Sequence, residues 1–173
     1  MATAIAPMTL RFADDGAIPN NTTLPLVLMR AAVNLVDITS AEDEIERVFG
    51  RHGWGRMWRD GIFPYVHYHS MIHEALGVAR GGARVRFGGD KGEIVELAPG
   101  DVAILPAGTG HQCLVCSDDF SVVGAYPKDG EYNLFRGEKD EHAAALKTIP
   151  HVPLPDTDPV YGKDGPLVIL WQG

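Results

Sequence analysis

Two stretches of this chain carry histidines at spacings that could hold one metal ion: GIFPYVHYHSMIHE, with His67, His69, His73 and Glu74, and GDVAILPAGTGH, ending at His111. In an extended segment Phe63, Tyr65, His67 and His69 fall on one face, so two imidazoles lean the same way about 7 Å apart at the base. A turn after Ser70 lets Glu74 begin the return strand and bring a carboxylate to the same centre, while a distant strand adds His111. His73 would take Glu74's place if that turn were one residue shorter. Three imidazoles and a carboxylate are borderline ligands, suited to one divalent transition metal (Fe, Mn, Ni, Zn, Co or Cu) and not to Ca or Mg. Burying so many polar side chains with no common partner would cost several kcal/mol, which favours a metal centre over an unmetallated cluster. Six-coordination would leave positions open, the mark of a working site rather than a structural one.

Other residues could serve such a centre. Tyr65 lies on the metal's face towards one mouth, where its phenol could donate to a ligand oxygen, so Glu74 and Tyr65 are the candidates for handling a proton. Trp54, Arg56, Trp58 and Arg59 crowd the approach to the first histidine stretch. Arginine suits a carboxylate or phosphate, but the simpler reading has the tryptophans packing a helix onto the sheet and the arginines on the surface. Cys113 and Cys116 are the only cysteines. On a strand their spacing points them to opposite faces, and they read as reduced thiols, Cys113 inward with the parity of His111.

The elements that must position these residues are mostly short strands. LPLVLMRAAV, residues 24–33, reads as an apolar strand. One helix follows, capped by Ser40 with Asp43 at the capping-box position, built on Ile45, Val48 and Phe49, and ended by Gly50 or Gly53. The glutamates at 42, 44 and 46 read as solvated groups favouring the helix dipole. Strands are expected over 63–69, 74–79, 83–87, 93–97, 102–105, 111–115 and 121–125, separated by Gly- and Pro-rich turns. A second short helix is expected over 140–146, an extended Pro-rich tail over 149–161, and a final strand at PLVILW. Short strands at this spacing without intervening helices make an all-β sandwich or barrel.

The 173 residues are 45% hydrophobic and 22% charged, as expected of one globular domain. A net charge of −8 has the wrong sign for nucleic acid or an anionic membrane. Without a basic segment ahead of an apolar one, the N-terminus reads as cytoplasmic.

The first histidine stretch, from Gly61 to Gly81, resembles cupin motif one at every position; the second, from Gly100 to His111, resembles cupin motif two, with Val115 where the family has an asparagine. WGRMWRDG, AGTGH, DFSVVGAYP and DPVYG are similar to small bacterial cupins of the YjlB type, and that likeness spans most of the chain. The resemblance implies an RmlC-like jelly roll, a double-stranded β-helix, with an N-terminal strand and one or two short helices. It implies a single domain over 1–173, with a metal-binding core about 58–127, an N-terminal strand and helix 24–53 and a C-terminal helix and tail 138–173. It also implies a divalent metal on His67, His69, Glu74 and His111, and a homodimer. The fold leaves the reaction open. An enzyme acting on a small oxygenated molecule by oxygenase- or isomerase-type chemistry is the leading expectation, and a non-catalytic binding or sensing cupin the alternative.

Overall fold

The computed structural model describes residues 5–173. It is built on two antiparallel sheets, the jelly-roll class that the motifs imply. The strands are β1 (Met8–Leu10), β2 (Leu26–Met29), β3 (Gly55–Asp60), β4 (Glu74–Arg80), β5 (Ala83–Phe87), β6 (Glu93–Leu97), β7 (Val102–Leu105), β8 (His111–Cys116) and β9 (Ser121–Tyr126). Six form one sheet in the order β1-β2-β7-β4-β9-β3, and three form the other, β6-β5-β8. Among the described residues there are also helices α1 (Ala41–Arg51), α2 (Lys139–Thr148) and α3 (Pro166–Gln172) and a 3-10 turn at Ile149–His151.

The large sheet is buried on both faces. Inward, Leu28, Leu76 and Val122 pack with Val85, Phe87 and Leu97 of the small sheet. Outward, Val27, Ala75, Ile104 and Val123 lie under Ile45 and Phe49 of α1 and Leu167 and Trp171 of α3. This double burial explains why β2, β4, β7 and β9 read as continuous apolar runs rather than alternating ones. The apolar strand expected over residues 24–33 is shorter and used within the chain, with β2 buried throughout between β1 and β7.

Helix α1 begins as its sequence requires, the Ser40 side chain accepting the Asp43 N–H, and its C-terminal turn closes through Gly53 at φ +83. Glu42 departs from expectation. It is buried, and its carboxylate accepts from Arg80 Nε at 2.7 Å and Ser121 Oγ at 2.9 Å, pinning α1 to β4 and β9.

Four other expectations need correction. PLVILW forms α3, not a strand: Pro166 occupies the first turn, the Asp158 carboxylate accepts the Leu167 N–H, and Leu167 and Trp171, four apart, supply the buried face. A short apolar run rich in branched residues satisfies both periodicities until its neighbours decide. Residues 63–69 are extended but form no strand: they are held by the isolated bridges His67–His111 and Tyr68–Phe135 and by the Cys113 N–H, which donates to the Phe63 carbonyl at 3.0 Å. Strands β1 and β3 had no alternation to announce them; β3 is a charged edge strand with a bulge between Gly55 and Trp58 and Arg56 at φ +51. Finally, Cys113 and Cys116 share a face. Val85 opposes Cys113 and Ala83 opposes Cys116, because the register slips by one residue between Arg84 and Val85.

Trp171 makes α3 a cover rather than an appendage: its indole N–H donates to the Pro25 carbonyl at 2.9 Å and its ring lies on His73. Trp171→Ala should lower stability by about 3–5 kcal/mol in urea unfolding, and an unchanged midpoint would show that α3 covers nothing. Burial works to raise the pKa of Glu42, but the hydrogen bonds from Arg80 and Ser121 outweigh it and hold it below the ordinary 4.5. Its contribution is therefore present above that value and lost as pH falls through the lowered one. Glu42→Gln should cost about 1 kcal/mol at neutral pH, since Arg80 is half exposed and screened, with the difference from wild type closing in acid.

Candidate metal centre

The centre is assembled from three places in the chain. Glu74 opens β4 and pairs with Leu105 of β7. His111 opens β8, and its backbone exchanges both hydrogen bonds with His67, N to O at 3.0 and 3.1 Å. His69 is fixed through its own carbonyl, which accepts the Gly108 N–H at 2.7 Å. Gly108 sits at φ +97 with the Asn20 carbonyl where a Cβ would be, so the Pro106-Ala107-Gly108 turn admits no side chain there. All four residues are at most 6% exposed.

One nitrogen or oxygen from each of His69, Glu74 and His111 lies within 4.8 Å of the others, a group that could hold a metal ion. Glu74 Oε2 is 3.0 Å from His69 Nε2 and 3.5 Å from His111 Nε2. His67 stands beside this group, its ring centroid 3.9 Å from that of His111.

The tautomers follow from what surrounds the rings. His67 Nδ1 faces the Tyr65 carbonyl, His69 Nδ1 the Asn133 carbonyl and His111 Nδ1 the Thr109 carbonyl. A carbonyl only accepts, so each Nδ1 carries a proton, and in its neutral form each ring presents a bare Nε2 on its other side. Glu74 Oε2, fully buried, has no hydrogen-bond donor. With the rings in that neutral form, imidazole lone pairs and a carboxylate oxygen converge on one point. Burial and the nearby His111 lower the pKa of His67 to about 3. Burial opposes charging of His69, but Glu74 outweighs it and raises that ring's pKa; burial works against ionised Glu74 too, but His69 and His111 hold it well below the usual carboxylate range. Two imidazoles and a carboxylate at this spacing are ligands of the kind that suit a borderline divalent ion.

His73, the alternative to Glu74, points elsewhere. Its Nδ1 accepts the Ala107 N–H at 2.8 Å and its ring lies 4.8 Å from that of Trp171, where burial lowers its pKa to about 4.

A cavity of about 390 Å³ opens onto the group, walled by Trp58, Ile62, Phe63 and Leu76, with Arg56, Arg59 and Asp60 towards the mouth. Tyr65 does not line it. Its ring stacks on Phe63 and is covered by the Arg136 guanidinium 3.7 Å away, at a separate surface recess. Tyr126 and Tyr132 line the cavity in its place. The Tyr126 hydroxyl accepts from Trp58 Nε1 at 3.0 Å and lies 3.5 Å from Glu74 Oε1. Strand parity was the available signal, since Tyr126 falls on the same side of β9 as the inward Val122. Arg59 is tied to Asp43 and Glu46 on α1, and Arg56 donates to the Pro127 and Gly130 carbonyls. Trp54 packs in the outer core as expected, its indole donating to Thr157.

No family model matches the chain. Partial overlaps with solved cupin-fold structures are found at TM-scores below 0.5. They include the QdtA 3,4-ketoisomerase from Thermoanaerobacterium thermosaccharolyticum (17% identity, 54% of this chain and 74% of that one, TM-score 0.43). Another is acireductone dioxygenase from Bacillus anthracis (21% identity, 61% of this chain and 80% of that one, TM-score 0.38). The uncharacterised protein YjlB of Bacillus subtilis (strain 168) is 41% identical over 163 residues, 94% of this chain and 95% of that protein. At that identity over nearly the whole of both sequences, the chain belongs to the YjlB family.

Proposed function

We propose that the chain is a metal-dependent enzyme acting on a small oxygenated organic molecule, with His67, His69, Glu74 and His111 holding one divalent transition ion. The observation that carries this reading is the convergence of a donor-less buried carboxylate oxygen with imidazoles whose protons all face away. His69, Glu74 and His111 form the heart of the set, and His67, whose ring lies beside that of His111, is the fourth ligand we assign.

A divalent ion held there supplies a Lewis acid, and iron would add oxygen activation. The chain's own residues do the rest. The Nδ1–carbonyl contacts hold the rings in the ligating tautomer, and Trp58, Ile62, Phe63 and Leu76 give the cavity an apolar wall. Burial first, then the charge of Glu74, raises the pKa of the Tyr126 phenol, so it stays protonated and can only donate towards the carboxylate or a bound oxygen. This reading gives the proton-handling role to Glu74, with Tyr126 rather than Tyr65 as the phenol beside it. A cavity of about 390 Å³ suits a metabolite-sized molecule.

Elemental analysis of wild type and His69→Ala, both folded by circular dichroism, tests the ion: about one equivalent of transition metal in the first and near none in the second are expected. Oxygen uptake and product formation across a panel of oxygenated metabolites, with Fe(II) restored, then test the chemistry. Turnover retained in metal-free His69→Ala would overturn the metal-dependent reading, and bound metal with no turnover on any substrate would assign the chain to binding or sensing.

A further inference from the structure

Glu74 has two oxygens, and the fold treats them differently. Oε2 faces His69 and His111, while the contact of Oε1 is the Tyr126 hydroxyl. The two residues meet because Ala75 pairs with Ala125, which makes Glu74 and Tyr126 cross-strand neighbours on the inward side.

Tyr126 is itself held. Trp58 pairs with Gly124 from the other side of β9, and its indole lies over that glycine, in space a Cβ at 124 would fill, to reach the phenol two residues on. An indole N–H is a donor only, so the phenol oxygen must accept from it, and the one phenolic proton is left for Glu74. A terminal carboxylate torsion is broad and roughly two-fold and its two oxygens are equivalent, so nothing intrinsic to Glu74 fixes the tilt of its carboxylate plane.

We infer that Tyr126 is a positioning residue: its hydroxyl, oriented by Trp58, holds Glu74 Oε1 and so presents Oε2 alone to the metal. The inference rests on the metal reading above and adds residues to it that touch no ion. Partners of this kind typically change metal affinity by about 10–100-fold.

The test is titration of the full-length, metal-stripped protein with Co(II), followed by affinity against a competing chelator and by the visible d–d spectrum. Tyr126→Phe should bind about tenfold more weakly with an altered spectrum. Trp58→Phe should weaken binding in the same direction, and the double variant should bind no more weakly than Tyr126→Phe, since both act through one hydroxyl. Tyr126→Phe with wild-type affinity and spectrum would overturn the inference while leaving the metal reading standing. Wild type that takes up no Co(II) would overturn both. If Tyr126→Phe does not fold, Trp58→Phe decides, and unchanged Co(II) affinity in that variant would refute the relay.

Discussion

A buried carboxylate needs donors or a cation, and the histidines around Glu74 have turned their N–H groups outward. That constraint organises the centre. Because the outward partners are the carbonyls of residues 65, 109 and 133, the geometry of the 63–69 segment, the Pro106-Ala107-Gly108 turn and the loop after β9 must all be correct together. The backbone exchange between His67 and His111 and the Gly108 contact to His69 lock two of those pieces to each other.

The large sheet makes such a site affordable by being covered twice. Its inner face packs on the small sheet and its outer face lies under α1 and α3. Strands buried on both sides do not shift register easily, because a slip by one residue would exchange two complementary sets of side chains. Glu74, Leu105 and Tyr126 therefore stand at fixed mutual heights along β4, β7 and β9. On the far side of the same strand opening, His73 is consumed by Ala107 and Trp171, so neighbouring histidine and glutamate serve opposite faces of one sheet.

Much of this was legible in residue order. Turns rich in Gly and Pro delimited β4 to β9 closely, and Ser40 with Ile45, Val48 and Phe49 announced α1, because both signals are local. What escaped depended on partners distant in sequence. PLVILW became a helix because Asp158 meets its first turn and His73 and the sheet accept Trp171. Strand β3 is an edge whose charged residues face α1 and solvent, so it lacks the apolar period of a half-buried strand. A bulge in β8 reversed the expected relation of Cys113 and Cys116. Tyr65 had the right parity but is drawn off by Phe63 and Arg136, whereas Tyr126 gains its place only through pairing with β4 and β3.

The contacts that set the imidazole tautomers come from main-chain oxygens, which every amino acid carries. Substitution at 65, 109 or 133 can change a side chain without touching the atom that does the orienting, provided the local backbone path survives. Variation in the side chains at these positions is thereby uncoupled from the orientation of the rings, which depends on the backbone path alone.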